Sequence, residues 1–147
     1  MSDQSLIAGR SHLMNLQLAM EAMPNAIYGS PAKHYFAEGV YVREYFLPKD
    51  TVVLGRIHKK SQVFIVASGE VSICTEKGTL SRLKAPCIFE SPAGVRRAVY
   101  AHEDAVMVTA HGTHTLDPDE LLDEISCTTF EEYDRLCGNN QLALEGI

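Results

Sequence analysis

The sequence predicts a mainly β protein of one domain, in which a β-sandwich or barrel is flanked by an N-terminal helix and short C-terminal helices. Short runs of β-branched and aromatic residues recur from Gly39 to Gly112 at intervals of about 8–12 residues, which is typical of all-β sandwiches and barrels. Turn residues such as Ser68-Gly69 separate these runs. A chain of 147 residues is long enough to bury a core of its own.

Residues 1–38 are predicted to form a helix and a loop. Ser11 is suited to cap the helix, and Pro24 ends it. Between them apolar residues follow one another at helical spacing, at Leu13, Leu16, Met20 and Met23. The stretch 24–39 holds two prolines and two glycines and is predicted to be a loop. We expect the helix to pack on the barrel or on a second subunit.

Residues 39–112 are predicted to form the β-barrel. The segments with strand character are GVYVREYFLP, TVVLGRIH, SQVFIVASG, EVSICTE, GTLSRLKAP, CIFESP, RRAVYAH and AVMVTAHG. Some of them, such as VFIVA and AVMV, are apolar on both faces, so they need cover outside the barrel as well as inside. The terminal helices or a partner subunit can supply that cover, and we expect a homo-oligomer.

Residues 113–147 are predicted to form a helical segment. Pro118 suits the first turn of a helix, and the acidic residues around it favour the positive end of the helix dipole. Thr129 and Glu132 have the spacing of a capping box at the start of a second helix. The residues after Cys137 are predicted to be a frayed tail.

Charge and hydropathy exclude several classes of partner. The formal net charge is −6, which disfavours general nucleic-acid binding, because that activity needs a basic face. No stretch reaches the roughly 20 apolar residues of a membrane span. The N-terminal MSDQSLIAGRSH lacks the basic and apolar regions of a signal peptide. We therefore expect a cytoplasmic protein with neither nucleic acid nor membrane as its partner.

The segment 55–70 resembles the first conserved motif of the cupin superfamily, G-x5-H-x-H-x(3,4)-E-x6-G. His58 matches the second histidine and Gly69 the closing glycine. Arg56 occupies the place of the first histidine, and Gln62 the place of the glutamate. Asp50 replaces the leading glycine.

The stretch SPAGVRRAVYA resembles the second cupin motif, G-x5-P-x-G-x2-H-x3-N. Pro92 and Gly94 match the P-x-G bend, and Arg97 occupies the place of the histidine. Pro86 and Ala101 replace the leading glycine and the closing asparagine. The resemblance covers about residues 40–112 and implies a cupin-type double-stranded β-helix, the jelly-roll barrel of that family. The chain also looks like small cupin-like proteins encoded by tailed bacteriophages, which implies a host-cytoplasmic location.

The substitutions in these motifs imply that the usual metal centre is lost. Residues i and i+2 of a strand face the same way, so an H-x-H pair aims two imidazoles into the barrel. The alignment places Arg56, His58, Gln62 and Arg97 inwards instead. Arginine stays protonated and cannot ligate a metal, and two arginines repel a cation. We therefore expect no metal and no other cofactor.

An interior with two guanidinium groups suits an anionic small molecule, either nucleotide-like or phosphorylated. Arginine makes strong bidentate hydrogen bonds to carboxylates and phosphates. His58 and Gln62 can add polar contacts. Aromatic candidates for stacking a ring of the ligand are Tyr41, Tyr45, Phe64 and Tyr100. The alternative is that Arg56 and Arg97 pair with Glu44, Glu90 or an acid of another subunit and simply close the barrel.

Other histidines leave a second metal site open. His111 and His114 form H-G-T-H directly after the last predicted strand. Together with His58 or His102 they are weak candidates for metal ligands. Histidines of the surface or the barrel rim are the alternative.

Three functions fit these features. The first is a metal-free binding protein that captures an anionic ligand and so sequesters a signal. The second is an enzyme, either a metal-independent isomerase or lyase with His58 as base and Tyr100 or Tyr45 as acid, or a metal-dependent dioxygenase. The third is a structural or assembly protein. The residues favour binding over catalysis.

Overall fold

The computed structural model describes residues 3–26, 32–78 and 80–138. Helix α1 spans Asp3–Glu21, α2 spans Pro118–Ile125 and α3 spans Phe130–Tyr133, which continues into a π-helical turn at Asp134–Gly138. The strands are β1 (Ala32–Ala37), β2 (Val40–Leu47), β3 (Val52–Leu54), β4 (Ile57–His58), β5 (Gln62–Ser68), β6 (Glu70–Thr75), β7 (Leu80–Lys84), β8 (Cys87–Ser91), β9 (Arg97–Ala101), β10 (Ala105–Gly112) and β11 (Ser126–Cys127).

Antiparallel pairing arranges these strands into two main sheets. The larger sheet has the order β1-β2-β10-β5-β8, and the smaller has the order β3-β9-β6-β7. The short strands β4 and β11 form a separate pair. Neighbours such as β2 and β10 are distant in the sequence, as expected for a jelly roll rather than for a chain of simple hairpins. The predicted mainly β class with terminal helices is confirmed.

The main core lies between the two sheets. Period-2 alternation turns every second side chain inwards, so buried apolar residues of both sheets meet. The buried members of this core are Leu47, Phe64, Val66, Val71, Ile73, Val99, Ala101, Ala105 and Met107.

Two positions of the cupin motifs adopt backbone conformations that explain the residues found there. Asp50 has a φ of 64° and so keeps the left-handed conformation at the place where the motif has a glycine. Aspartate tolerates this region better than most residues. Gly69 has a φ of 84°, and a Cβ on it would collide with the backbone oxygen of Asp104. A residue other than glycine therefore does not fit at position 69.

Helix α1 packs against α3 and the neighbouring strands. Leu13 of α1 is buried with Ile57, Cys127 and Phe130. The Arg10 guanidinium lies 2.8 Å from the Asp134 carboxylate and 4.4 Å from the Phe130 ring centroid. The apolar contact of Leu13 and the contacts of Arg10 together hold the N-terminal helix on the barrel.

Three predictions at the N-terminal side differ from the structure or fall outside it. Helix α1 begins at Asp3 rather than at Ser11. The predicted loop 24–39 contains β1, whose residues are mostly exposed and form a strand because each pairs with β2. Such a strand has no buried alternation for sequence reasoning to detect. Residues 27–31 of that loop lie outside the described part.

The predicted starts of the C-terminal helices are confirmed. The Asp117 side chain accepts a hydrogen bond from the backbone of Asp119 at the start of α2. The Thr129 hydroxyl accepts from the backbone of Glu132 at the start of α3. The predicted tail after Cys137 lies mostly outside the described residues. Within the parts of the chain that are described, no helix has the length and hydropathy needed to cross a bilayer.

Candidate functional site

One end of the barrel interior is polar, whereas the rest is apolar. Strand β2 carries Tyr41, Arg43 and Tyr45 on its inward face, before the buried Leu47. In the paired strand β10, His111 lies opposite Tyr41, and Thr109 opposite Arg43. Further polar groups come from other strands, namely His58 of β4, Gln62 of β5, Ser91 of β8 and Arg97 of β9. We call these nine residues the polar cluster.

Arg97 is the buried cation of the polar cluster. Its side chain is about nine-tenths buried, and its guanidinium donates a hydrogen bond to the Ser91 hydroxyl. The guanidinium carbon lies 5.3 Å from the Phe64 ring centroid and 5.7 Å from that of Phe89. Burial lowers the pKa of Arg97, while the charge of the buried Glu76 carboxylate partly opposes this shift. Within the described residues, no carboxylate forms an ion pair with Arg97.

Arg43 is the second cation of the polar cluster. Its guanidinium carbon lies 5.5 Å from the Tyr45 ring centroid. Across the described ranges, the guanidinium has neither a hydrogen bond nor an ion pair. Burial raises the pKa of the neighbouring Tyr45 phenol, so Tyr45 stays neutral and does not neutralise the arginine.

The two histidines of the polar cluster stack on each other and are neutral at neutral pH. The ring centroids of His58 and His111 are 5.7 Å apart, with 24° between the planes. Burial, followed by electrostatic repulsion from His111, Arg97, Arg43 and Arg56, lowers the pKa of His58 to about 3. Burial, followed by the charge of Arg43, lowers the pKa of His111 to about 4. Desolvation and nearby cations both disfavour the imidazolium form.

The histidine stack continues outwards to the edge of the larger sheet. The Tyr41 ring centroid lies 5.6 Å from that of His111. The Phe36 ring lies 5.2 Å from Tyr41, and the Tyr41 hydroxyl is 2.6 Å from Nδ1 of His34. A column of rings therefore runs from His58 to the exposed edge strand β1.

Gln62 provides the amide of the polar cluster, and one of the two polar atoms of this amide has no hydrogen-bond partner. Its side chain is only 4% exposed. Its Nε2 lies 3.2 Å from Nδ1 of His58, whereas its Oε1 is buried without a hydrogen bond. A surface depression of about 250 Å³ near Gln62 lies on the outer face of the larger sheet, since its lining includes the outward-facing Val63, Glu90 and Ala110.

Arg56 does not join the polar cluster as expected from the motif. Its Nε donates to the Ser126 hydroxyl at 2.8 Å, and its Nη2 lies 3.6 Å from the carboxylate of Asp123 in α2. The α2–β11 segment thus supplies the partners of a guanidinium that was predicted to be available to a ligand, although its charge still acts on His58. The structure brings Arg43 to the polar cluster instead.

Tyr100 and His102 also lie away from the polar cluster. The Tyr100 hydroxyl donates to the Asp50 carboxylate at 2.7 Å, and His102 Nε2 lies 2.6 Å from the Ser72 hydroxyl. These groups are on the outer side of the smaller sheet, since Val99 and Ala101 on either side of Tyr100 are buried in the core. A proton transfer between His58 and Tyr100 is therefore excluded by the fold.

The remaining sequence candidates separate into two groups. Tyr41, Tyr45, Phe64 and His111 lie at or beside the polar cluster, whereas His114 is exposed. The alternative pairing of the arginines with Glu44 or Glu90 is not formed in the described chain. Glu44 lies 3.9 Å from Lys33 instead, on the outer face.

The residues of the polar cluster do not fit the metal centre that the cupin resemblance implies. Such a centre takes three or four donors from histidine and carboxylate side chains. Among the described residues, no group of three or more histidine, cysteine, aspartate or glutamate side chains could hold a metal ion. His58 and His111 form a pair without a third such donor, and the two arginines oppose a cation.

Arg43 was missed as a site residue, although the sequence contains a signal for it. In VYVREYFL, the residues Tyr41, Arg43 and Tyr45 alternate with Val40, Val42 and Phe46. Hydrophobic patterning favours burying the valines. The structure turns the tyrosines and the arginine inwards, and the apolar residues outwards. Two tyrosines four residues apart, with an arginine midway between them, form a pattern that could have indicated a polar interior.

Comparison with known proteins gives structural similarity alone. No family model matches the sequence, and no curated protein matches it. A Neisseria meningitidis protein of solved structure superposes with a TM-score of 0.50 at 13% identity, covering 67% of this chain and 97% of that one. A salicylate 1,2-dioxygenase variant from Pseudoaminobacter salicylatoxidans, in complex with gentisate, gives a TM-score of 0.51 at 17% identity. That match covers 75% of this chain but only 32% of the dioxygenase.

The strand order gives the jelly-roll barrel that the sequence resemblance implies, and this fold is shared with the two solved structures above. A cupin-2 domain protein from Shewanella frigidimarina is also similar, with a TM-score of 0.48 at 15% identity, covering 68% of this chain and 92% of that one. At these identities the similarity concerns the fold, and the function has to be argued from the polar cluster.

Proposed function

We propose that the polar cluster binds a small anion and that the protein acts by capturing this ligand. The observation that carries the proposal is Arg97, a buried guanidinium without a carboxylate partner in the described chain. A buried charge is costly unless another charge or a full set of hydrogen bonds compensates it. An anion placed between Arg97 and Arg43 supplies that compensation.

The other members of the polar cluster favour an anion as well. His58 and His111 are neutral, so they add hydrogen-bonding capacity without adding negative charge. Tyr45 is a neutral phenol and can donate. Carboxylates and phosphates accept several such hydrogen bonds at once, and these are strong where water is excluded.

Capture is favoured over catalysis by the chemistry of His58. A general base works best when its pKa lies near the working pH, but the pKa of His58 is lowered to about 3. A dioxygenase reaction like that of the salicylate enzyme needs a metal centre, which the donors of the polar cluster do not fit. A role in sequestering a phosphorylated or nucleotide signal, in a phage-infected host, stays a prediction of the sequence resemblance.

Thermal unfolding in the presence of phosphate, sulfate and simple carboxylates tests this proposal. We expect an anion to raise the melting temperature of the wild type and to lose this effect in Arg97→Met and Arg43→Met. Arg82→Met is the matched control, because Arg82 is exposed and pairs with Glu70 at 2.9 Å on the outside of the barrel. Equal stabilisation of all four proteins would refute binding at the polar cluster.

We also propose that the outer face of the larger sheet associates with a second copy of the chain. Its exposed apolar residues include Ile88, at 68% exposure, and Phe46, at 56%. Strands β2 and β10 are each 8 residues long. The five strands of 5–8 residues present roughly 550 Å² of sheet face, of the same order as the approximately 800 Å² that each partner buries in a standard interface. This proposal keeps the structural or assembly role open.

Sedimentation equilibrium of two lysine variants tests self-association. Ile88→Lys places a charge in the proposed interface and should shift the protein towards monomer. Val52→Lys, on the smaller sheet, is the control, because Val52 is also exposed. A monomeric wild type, or equal association of the two variants, would refute this interface.

A further inference from the structure

The polar cluster does not contain equal numbers of hydrogen-bond donors and acceptors. Arg43 and Arg97 offer only donors. Neutral His58 and His111 each offer one donor and one acceptor. The acceptor of His58 is Nδ1. It is already paired with the Gln62 amide, whose Nε2 lies 3.2 Å away. Among the described residues of the polar cluster, Oε1 of Gln62 is the buried acceptor without a hydrogen-bond partner.

An unpaired buried acceptor constrains the choice of ligand in addition to the buried charges. Leaving such a group without a partner carries the full cost of its desolvation. A site built in this way rejects an analogue that lacks the matching donor, because the acceptor then stays unpaired. We infer that the anion carries a hydrogen-bond donor of its own, a hydroxyl group on or beside the charged group, which bonds to Oε1 of Gln62.

Two chemical classes share this feature. Hydrogen phosphate is an oxyanion with a hydroxyl on the charged group itself. A 2-hydroxy acid has a carboxylate with a hydroxyl on the adjacent carbon. In both, the charge pairs with Arg97 and Arg43 while the hydroxyl donates to Gln62. This inference rests on the proposed anion site and specifies what that site selects.

The route to Oε1 passes through groups that can move. The unpaired oxygen is enclosed by protein atoms, so the neighbouring side chains must part to admit a ligand. Arg43 is suited to this movement, since a ring face rather than a hydrogen bond holds its guanidinium within the described structure.

Isothermal titration with two matched pairs of anions tests the inference. At about pH 8, phosphate is mostly a tetrahedral dianion that keeps one hydroxyl, and sulfate is a dianion of the same shape with none. Lactate and propionate form the corresponding carboxylate pair. We expect the hydroxyl-bearing member of at least one pair to bind about 10-fold more tightly or better, and the pair that is discriminated identifies the ligand class.

The Gln62→Met variant provides the second arm. Methionine keeps the volume but removes the acceptor, so it should retain anion binding and lose the discrimination within the pair. If the wild type binds sulfate and propionate as well as their partners, the inference is overturned, while loss of binding in Arg97→Met would still support the anion site. If no anion binds to the wild type, both the inference and the proposed function are overturned. The comparison within the wild type requires no variant to fold.

Discussion

The two stacked histidines make the stability of the barrel depend on pH in a calculable way. In the unfolded chain, a histidine takes up a proton near its ordinary pKa of 6.5, but the folded structure keeps His58 neutral down to about 3 and His111 down to about 4. The unfolded state therefore binds more protons between these values. The contribution of the neutral rings to the free energy of unfolding has its full value above pH 6.5. It decreases as the pH falls towards the pKa values of the folded state.

The size of the effect follows from the same numbers. Each unit of difference in pKa is worth about 1.36 kcal/mol, so acidification from above 6.5 to pH 5 lowers the free energy of unfolding by roughly 2 kcal/mol for each ring. The two rings together account for roughly 4 kcal/mol, a large part of the total stability of a small domain. The nearby charges of Arg43, Arg97 and Arg56 act in the same direction as burial for His58.

Urea unfolding between pH 5 and pH 8 measures this dependence. We expect the double variant His58→Gln/His111→Gln to lose most of the decrease in unfolding free energy between pH 7 and pH 5. His12→Gln is the control, because His12 is exposed on α1 and should leave the wild-type dependence unchanged. If the double variant keeps the full decrease, the histidines are not the buried neutral groups described above, and the electrostatic account of the site fails.

Three further substitutions test the packing of the chain. Arg97→Met should raise the free energy of unfolding by about 1 kcal/mol in anion-free buffer, because an apolar side chain replaces a buried, unpaired charge; a decrease in denaturant titration would contradict this. Gly9→Ala should lower it by about 1–2 kcal/mol despite the better helix propensity of alanine, since the new methyl group meets the backbone oxygen of Glu76. An unchanged urea midpoint would show that α1 can shift. Thr129→Ala should cost about 1 kcal/mol through loss of the cap, and Thr129→Ser should restore it; equal midpoints for the two variants would count against the cap.

The strands between residues 39 and 112 and the starts of the two C-terminal helices could be predicted from the sequence because they depend on local chemistry. Alternation and turn residues indicate strands without knowledge of their partners. The caps at Asp117 and Thr129 involve residues two or three positions away. The bend at Gly69 likewise depends on its own backbone conformation. These features need no long-range contact to be recognised.

The composition of the site was decided by long-range contacts. Position in the motif suggested that Arg56 faces the barrel, but Ser126, 70 residues later, takes its guanidinium. His111 reaches His58 because β10 lies in the larger sheet with its odd-numbered residues inwards. Arg43 enters the interior for the corresponding reason on β2. A period of two residues tells which side chains share a face, but only sheet register and the packing of α2 decide which faces meet.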